Sequence, residues 1–173
     1  NALEAKNLFK VFGRSPKQAV SRLKAGQSRA DVVDAGTAAV IDASFTVQRG
    51  EIFVIMGLSG SGKSTIIRML NGLLEPTAGE VIVQGQNVTK ASAAELRAIR
   101  RASVSMVFQH FALLPHRTVI DNAAYALEVQ GIAKPERLRR AREILEKVGL
   151  GDRADAYPDE LSGGMRQRVG LAR

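Results

Sequence analysis

Cysteine is absent from this 173-residue sequence, so it can form neither a disulfide framework nor a thiolate metal site. That absence fits a cytoplasmic protein. Aromatic residues make up only 5% of the chain, too few to interleave with its basic residues as single-strand nucleic-acid readers require. The arginines are spread along several segments instead of gathered in one stripe, and no nucleic-acid partner is predicted. Nowhere does an apolar run approach the roughly 18 residues that a spanning helix needs. The opening NALEAKNLFK lacks the apolar centre of a signal peptide. Internal repeats, low-complexity tracts and flexible linkers are also missing.

What is present is an apolar fraction of 45% and a net charge of +8. The first supplies the core of about one domain. The second suits an anionic membrane surface, or a piece whose acidic portion lies elsewhere.

Periodicity predicts strands over 3–12 and 39–47, the second alternating Ala43, Phe45 and Val47 against Ser44 and Thr46. Together they suggest a small antiparallel sheet. Between them, 14–37 reads as an insertion whose helix starts at Ser15 and Pro16, carries Val20 and Leu23, and stops at Gly26. EIFVIMG, 51–57, is a nearly continuous apolar run that predicts a strand buried on both faces of a parallel sheet. A helix from Lys63 to about Leu74 follows. After a turn at Pro76 and Gly79, EVIVQG predicts a strand, and Ser92 with Glu95 forms a capping box that opens another helix. SVSMVFQ, 103–109, predicts one more strand. Helices around 118–130 and 135–148 complete the pattern, the latter with Leu138, Ala141, Leu145 and Val148 on one stripe and Gly149 as its stop.

GLSGSGKST, Gly57 to Thr65, fits G-x-x-x-x-G-K-[ST] between a predicted strand and a predicted helix. Gly57, Gly60 and Gly62 can take backbone angles closed to other residues, so successive NH groups can wrap a polyphosphate, with Ser59 and Ser61 completing the loop. The helix beginning near Lys63 adds its positive dipole end. Lys63 would supply a cation to the β and γ phosphates, the Ser64 hydroxyl one ligand of Mg²⁺, and Thr65 a further phosphate contact.

A second phosphate-facing pattern comes about 100 residues later. In LSGGMRQR, Ser162 can cap a helix while Gly163 and Gly164 expose backbone NH groups at its positive end. This stretch resembles the signature sequence of ATP-binding-cassette (ABC) ATPases, and the resemblance extends over essentially the whole chain. It implies a head-to-tail dimer in which Ser162, Gly163 and Gly164 close on the ATP of a second copy. It also implies that Gln109, in MVFQ, reaches Mg²⁺ or the attacking water, and that Phe12, in KVFG, stacks on adenine. Met165 departs from the glutamine commonest at its position.

The fold so implied is α/β: a P-loop NTPase core with a RecA-like mixed sheet, an antiparallel β subdomain (1–13 and 38–50), the helical insertion 14–37, a core over 51–110 and a helical subdomain over 111–165. Among importers, EIFVIMGLSGSGKSTIIRMLNGLLEPTAGEV, FALLPHRTVIDNAAYALEVQGI and YPDELSGGMRQRVGLAR look closest to the ATPase subunits of glycine betaine and proline betaine uptake systems. Polar amino acid importers are the second choice. That resemblance implies ATP and Mg²⁺ as cofactors, membrane-spanning permease subunits as partners, and a peripheral position on the cytoplasmic face of the inner membrane. The family pattern continues into an apolar strand ending in Asp-Glu and then a switch histidine, neither of which is in these residues. The resemblance therefore implies the N-terminal portion of a longer ATPase, cut before the Walker B strand, that would bind nucleotide but not turn it over alone.

Overall fold

A computed structural model describes residues 1–108 and 111–173 and divides them into two compact units, Asn1–Ser105 and Met106–Arg173. In the first unit, β1 (Leu3–Phe12), β2 (Thr37–Val47), β3 (Ala78–Val83) and β4 (Gln86–Asn87) form an antiparallel sheet in the order β2-β1-β3-β4. Strand β1 is central because it is apolar on both faces. Phe9 and Val11 pack with Ala19, Val20 and Leu23 of α1 (Pro16–Lys24). Ala5 and Leu8 pack with Val81 and with Met69 of α2 (Lys63–Leu70). Ala5 and Leu8 are three residues apart, so an unbroken pleat would send them to opposite faces. The register shift between them, with Asn7 at φ 46°, returns Leu8 to the face of Ala5.

Local signals set the limits of these elements. The alternation expected for β2 is present, with Ala43, Phe45 and Val47 half-buried and Ser44 and Thr46 exposed. Helix α1 starts on its proline. The 14–37 insertion closes on itself: a Cβ on Gly13 would lie 2.5 Å from the Gly36 Cα, and the Ser15 NH donates to the Ala35 carbonyl at 3.1 Å. Helix α3 (Ala93–Ser103) opens on the expected capping box, with Ser92 Oγ accepting from the Glu95 NH and Glu95 Oε2 accepting from the Ser92 NH.

Two expected strands are not formed. Residues 51–57 lie outside any ladder, and Ile52 and Met56 are 90% and 86% exposed. Residues 104–108 are likewise outside any strand, and Ser103 is the last residue of α3. An apolar run states that a segment needs burial; a strand also needs a neighbouring backbone to complete its hydrogen bonds. Among the described residues neither segment pairs with a strand, and Phe53 stacks on the ring of Phe45 at 4.8 Å. The helix expected to reach Leu74 ends at Leu70, with Asn71 as its cap.

The second unit is built from α4 (Val119–Val129), α5 (Lys134–Lys147) and α6 (Gly163–Ala172). Val119, Ala124, Leu145, Leu150, Leu161 and Val169 make its core. Asn122 is fully buried among them and fully bonded. Its Oδ1 accepts from the Leu114 NH at 2.8 Å, while its Nδ2 donates to the carbonyls of Leu114 (3.1 Å), Arg117 (3.1 Å) and Thr118 (3.0 Å). One amide thus fastens the turn that precedes α4. Tyr125 is flanked by the guanidinium groups of Arg117 and Arg173, 5.2 and 4.9 Å from its ring centre.

Candidate functional site

The glycine loop turns directly into α2, and its backbone shows why glycine stands there. Gly60 and Gly62 take φ of 77° and 91°, the left-handed region that disfavours side chains. At Gly62 a second constraint acts: a Cβ would lie 2.3 Å from the carbonyl oxygen of Ala39, so the loop is pressed onto β2. Gly62 caps α2 without a side chain, and the NH groups of Lys63, Ser64 and Thr65 belong to the first turn, where a helix has no internal partners for them. The Ser61 NH closes a turn onto the Leu58 carbonyl at 3.2 Å.

Lys63 curls back over this loop. Its Nζ donates to the carbonyl oxygens of Gly57 and Leu58, both at 2.7 Å, and lies 3.5 Å from Ser61 Oγ. The ammonium is therefore held against the loop that leads into α2. Ser59, Ser61 and Ser64 are exposed, and Thr65 is half-buried. The chemistry these parts offer is the grip of a polyanion, since one short stretch carries a glycine loop, a helix N-terminus and a cation.

Phe12 ends β1 and pairs with Thr37, the first residue of β2. Since Gly62 abuts Ala39, two residues further along β2, Phe12 and the loop share one end of the sheet. The ring is 46% exposed and has the Lys10 ammonium 5.1 Å from its centre. Lys10 is fixed in turn by donating to the Glu75 carbonyl at 2.7 Å.

In the second unit, Ser162 caps α6, its Oγ accepting from the Met165 NH at 3.3 Å. Leu161 and Val169 are buried on either side, so Ser162, Gly163 and Gly164 are displayed on the surface by two apolar anchors. A Cβ on Gly163 or Gly164 would meet nothing within 4 Å. Neither glycine is required by this unit's own packing. Arg168 ties α6 to the end of α5 by donating to the Val148 carbonyl at 2.9 Å. Gln109 lies outside the described residues.

Sequence reasoning brought out the two glycine patterns because each is contiguous. It missed Asn122, although an amide inside the apolar stripe Val119, Ile120, Ala123 and Ala124 was a readable signal. It also missed Lys10, which no local pattern marks.

A glycine loop leading into a helix on an α/β framework defines the P-loop nucleoside triphosphatase class of fold. The chain belongs to the ABC transporter family, whose model matches residues 40–173. It is 54% identical over 173 residues to the glycine betaine/proline betaine transport system ATP-binding protein ProV of Salmonella typhimurium, covering 99% of this chain and 43% of that protein. The glycine betaine transport ATP-binding protein OpuAA of Bacillus subtilis is 51% identical over 173 residues, covering 99% of this chain and 41% of that protein. This chain thus spans less than half the length of these curated relatives. Among solved structures, the dimeric post-hydrolysis state of the ATP-binding cassette MJ0796 bound to ADP and Pi aligns with a TM-score of 0.81 at 30% identity, over 98% of this chain and 67% of that one.

Proposed function

We propose that this chain is part of the ATP-binding and ATP-hydrolysing subunit of an importer for osmoprotectants such as glycine betaine and proline betaine, where hydrolysis is coupled to solute uptake. The observation that carries the reading is the position of Lys63, whose ammonium rests on the Gly57 and Leu58 carbonyls over a loop shaped by left-handed Gly60 and Gly62. A short swing of that side chain exchanges two neutral acceptors for phosphate oxygens, which bind an ammonium more strongly. The loop amides and the first turn of α2 then hold the β and γ phosphates, and Phe12 stacks on adenine at the same end of the sheet.

Mg²⁺ fits the donors present. The Ser64 hydroxyl is exposed at the second position of α2, and a hard cation of this kind takes most of its remaining oxygens from phosphate and water. With Gln109 as a further ligand, the ion would neutralise charge on the transferring phosphate.

Ser162, Gly163 and Gly164 meet the γ-phosphate of a second copy in a head-to-tail dimer. Their exposure, with room for atoms at both glycines, supports a role outside their own unit. The dimer works on membrane-spanning permease subunits from the cytoplasmic face of the inner membrane. No helix among the described residues is long and apolar enough to cross a membrane.

Betaine transport is favoured over the import of other solutes by coverage. Methionine import proteins reach the same 54% identity but over 80% of the chain, whereas the betaine relatives align over 99% of it and so include the 14–37 insertion. The test is equilibrium binding of Mg-ATP to the complete polypeptide, with light scattering to follow self-association. Nucleotide uptake that promotes dimers is expected; a protein that does neither overturns the reading.

A further inference from the structure

Strand β1 loses its neighbour on one side before it ends. Its pairing with β3 stops at Phe9 and Ala78, although β1 runs on to Phe12. The turn that precedes β3 takes over. Thr77 donates its NH to the Phe9 carbonyl at 2.8 Å, and its hydroxyl accepts from the Val11 NH at 3.1 Å and donates to the Val11 carbonyl at 3.4 Å. Lys10 adds a further tie to the same turn: its half-buried side chain donates to the Glu75 carbonyl at 2.7 Å. That ammonium also stands over the Phe12 ring, 5.1 Å from its centre. One side chain thus holds the turn and covers one face of the ring.

Resting on the nucleotide-binding function proposed above, in which Phe12 stacks on adenine, we propose that Lys10 is a positioning residue for the base: it holds the Phe12 ring from one face, so that adenine stacks on the other. An ammonium is attracted to the π-face of an aromatic ring, and this one cannot follow the ring freely because the Glu75 carbonyl restrains it. A ring held in one orientation has already lost the freedom that stacking would remove. The cation also offsets the negative π-face, which eases the approach of a second π-system from the opposite side. Neither contact of Lys10 involves Gly57–Thr65, so the effect falls on affinity for the nucleoside part of ATP and not on the grip of its phosphates.

The experiment compares wild type, Lys10→Met, Lys10→Gln, Lys10→Arg, Phe12→Leu and the double variant Lys10→Met, Phe12→Leu in the complete polypeptide. Calorimetric titration measures affinity for Mg-ATP and for Mg-tripolyphosphate, which has no base; kcat and KM for ATP are measured alongside. Phe12→Leu is expected to weaken Mg-ATP binding by about tenfold, the loss of one stacked base. Lys10→Met and Lys10→Gln lack the cation and are expected to weaken it by about threefold, raising KM by the same factor at unchanged kcat. Tripolyphosphate affinity should stay at the wild-type value in all of them. Lys10→Arg keeps a cation and should restore Mg-ATP affinity. In the Phe12→Leu background, Lys10→Met should have no further effect. Wild-type Mg-ATP affinity in folded Lys10→Met or Lys10→Gln overturns the proposal, as does an equal loss for tripolyphosphate, or the full effect of Lys10→Met persisting in the Phe12→Leu background. Failure of both charge-removing variants to fold, read by circular dichroism, also overturns it, because the tie to Glu75 is then structural. Failure of the underlying reading looks different: wild type binds neither ligand, or Phe12→Leu alone leaves Mg-ATP affinity unchanged.

Discussion

Gly62 and Ala39 touch so closely that no side chain fits between them: a Cβ on the glycine would lie 2.3 Å from the alanine carbonyl oxygen. Gly60, two residues earlier in the same loop, has a comparable left-handed φ but open space where a Cβ would sit. The two glycines therefore separate backbone strain from steric exclusion. Gly60→Ala is expected to cost about 1 kcal/mol from strain, and Gly62→Ala about 3 kcal/mol or more because β2 or the loop must also move. Urea unfolding followed by circular dichroism checks the order; equal losses would show that the Ala39 contact is unimportant.

Lys63→Ala removes a cation whose hydrogen bonds go to loop carbonyls, and Lys63 is in none of the apolar core clusters. Its melting temperature should match wild type, while ATP turnover in the complete polypeptide should fall by at least about 100-fold, as when a preorganised electrostatic donor is lost. Steady-state phosphate release measures the second quantity, and residual turnover above a tenth of wild type contradicts the assigned role.

Gly164→Asp fits the free surface of the second unit, where a Cβ meets nothing within 4 Å, and a carboxylate in the first turn of α6 is favoured by the helix dipole. Stability and ATP binding by the monomer should be preserved. Closure of the dimer should be blocked, because the carboxylate would face a partner's phosphate. Normal hydrolysis by this variant would remove the signature from the partner's site.

Asn122→Ala should destabilise the second unit by about 2–4 kcal/mol, since it leaves a backbone NH and three carbonyls without the amide that satisfies them in a buried place. Differential scanning calorimetry would show the loss. A variant within 0.5 kcal/mol of wild type, roughly the range of a neutral surface change, would mean that solvent replaces the amide.

Glu136 accepts hydrogen bonds from Arg139 and Arg140, which hold its carboxyl down at about 2. Its folded value lies below its unfolded one, so its contribution is present above the ordinary carboxylate range and fades as the pH falls towards 2. The pair is exposed and the effect small. Glu136→Gln should therefore lower the urea midpoint slightly at pH 7 and not at about pH 2; an equal difference at both would exclude titration as the cause.

Much of this molecule is legible in its sequence where the signal is local. The proline of α1, the capping box of α3 and the glycines that stop helices fixed those elements to within a residue or two. Both glycine patterns were legible for the same reason. The segments 51–57 and 104–108 were misread because a strand depends on a neighbour that the segment itself does not encode. Lys10 and Asn122 escaped for a related reason: Lys10 meets the distant carbonyl of Glu75, and Asn122 declares its burial but not which turn it will fasten.

The pinch between Gly13 and Gly36 makes residues 14–35 a closed lobe whose two stems enter and leave the sheet at one point. A lobe attached in that way has two unequal parts: the exposed rim over residues 24–31 is free to change in length and surface, while Ala19, Val20 and Leu23 must stay apolar because they cover Phe9 and Val11.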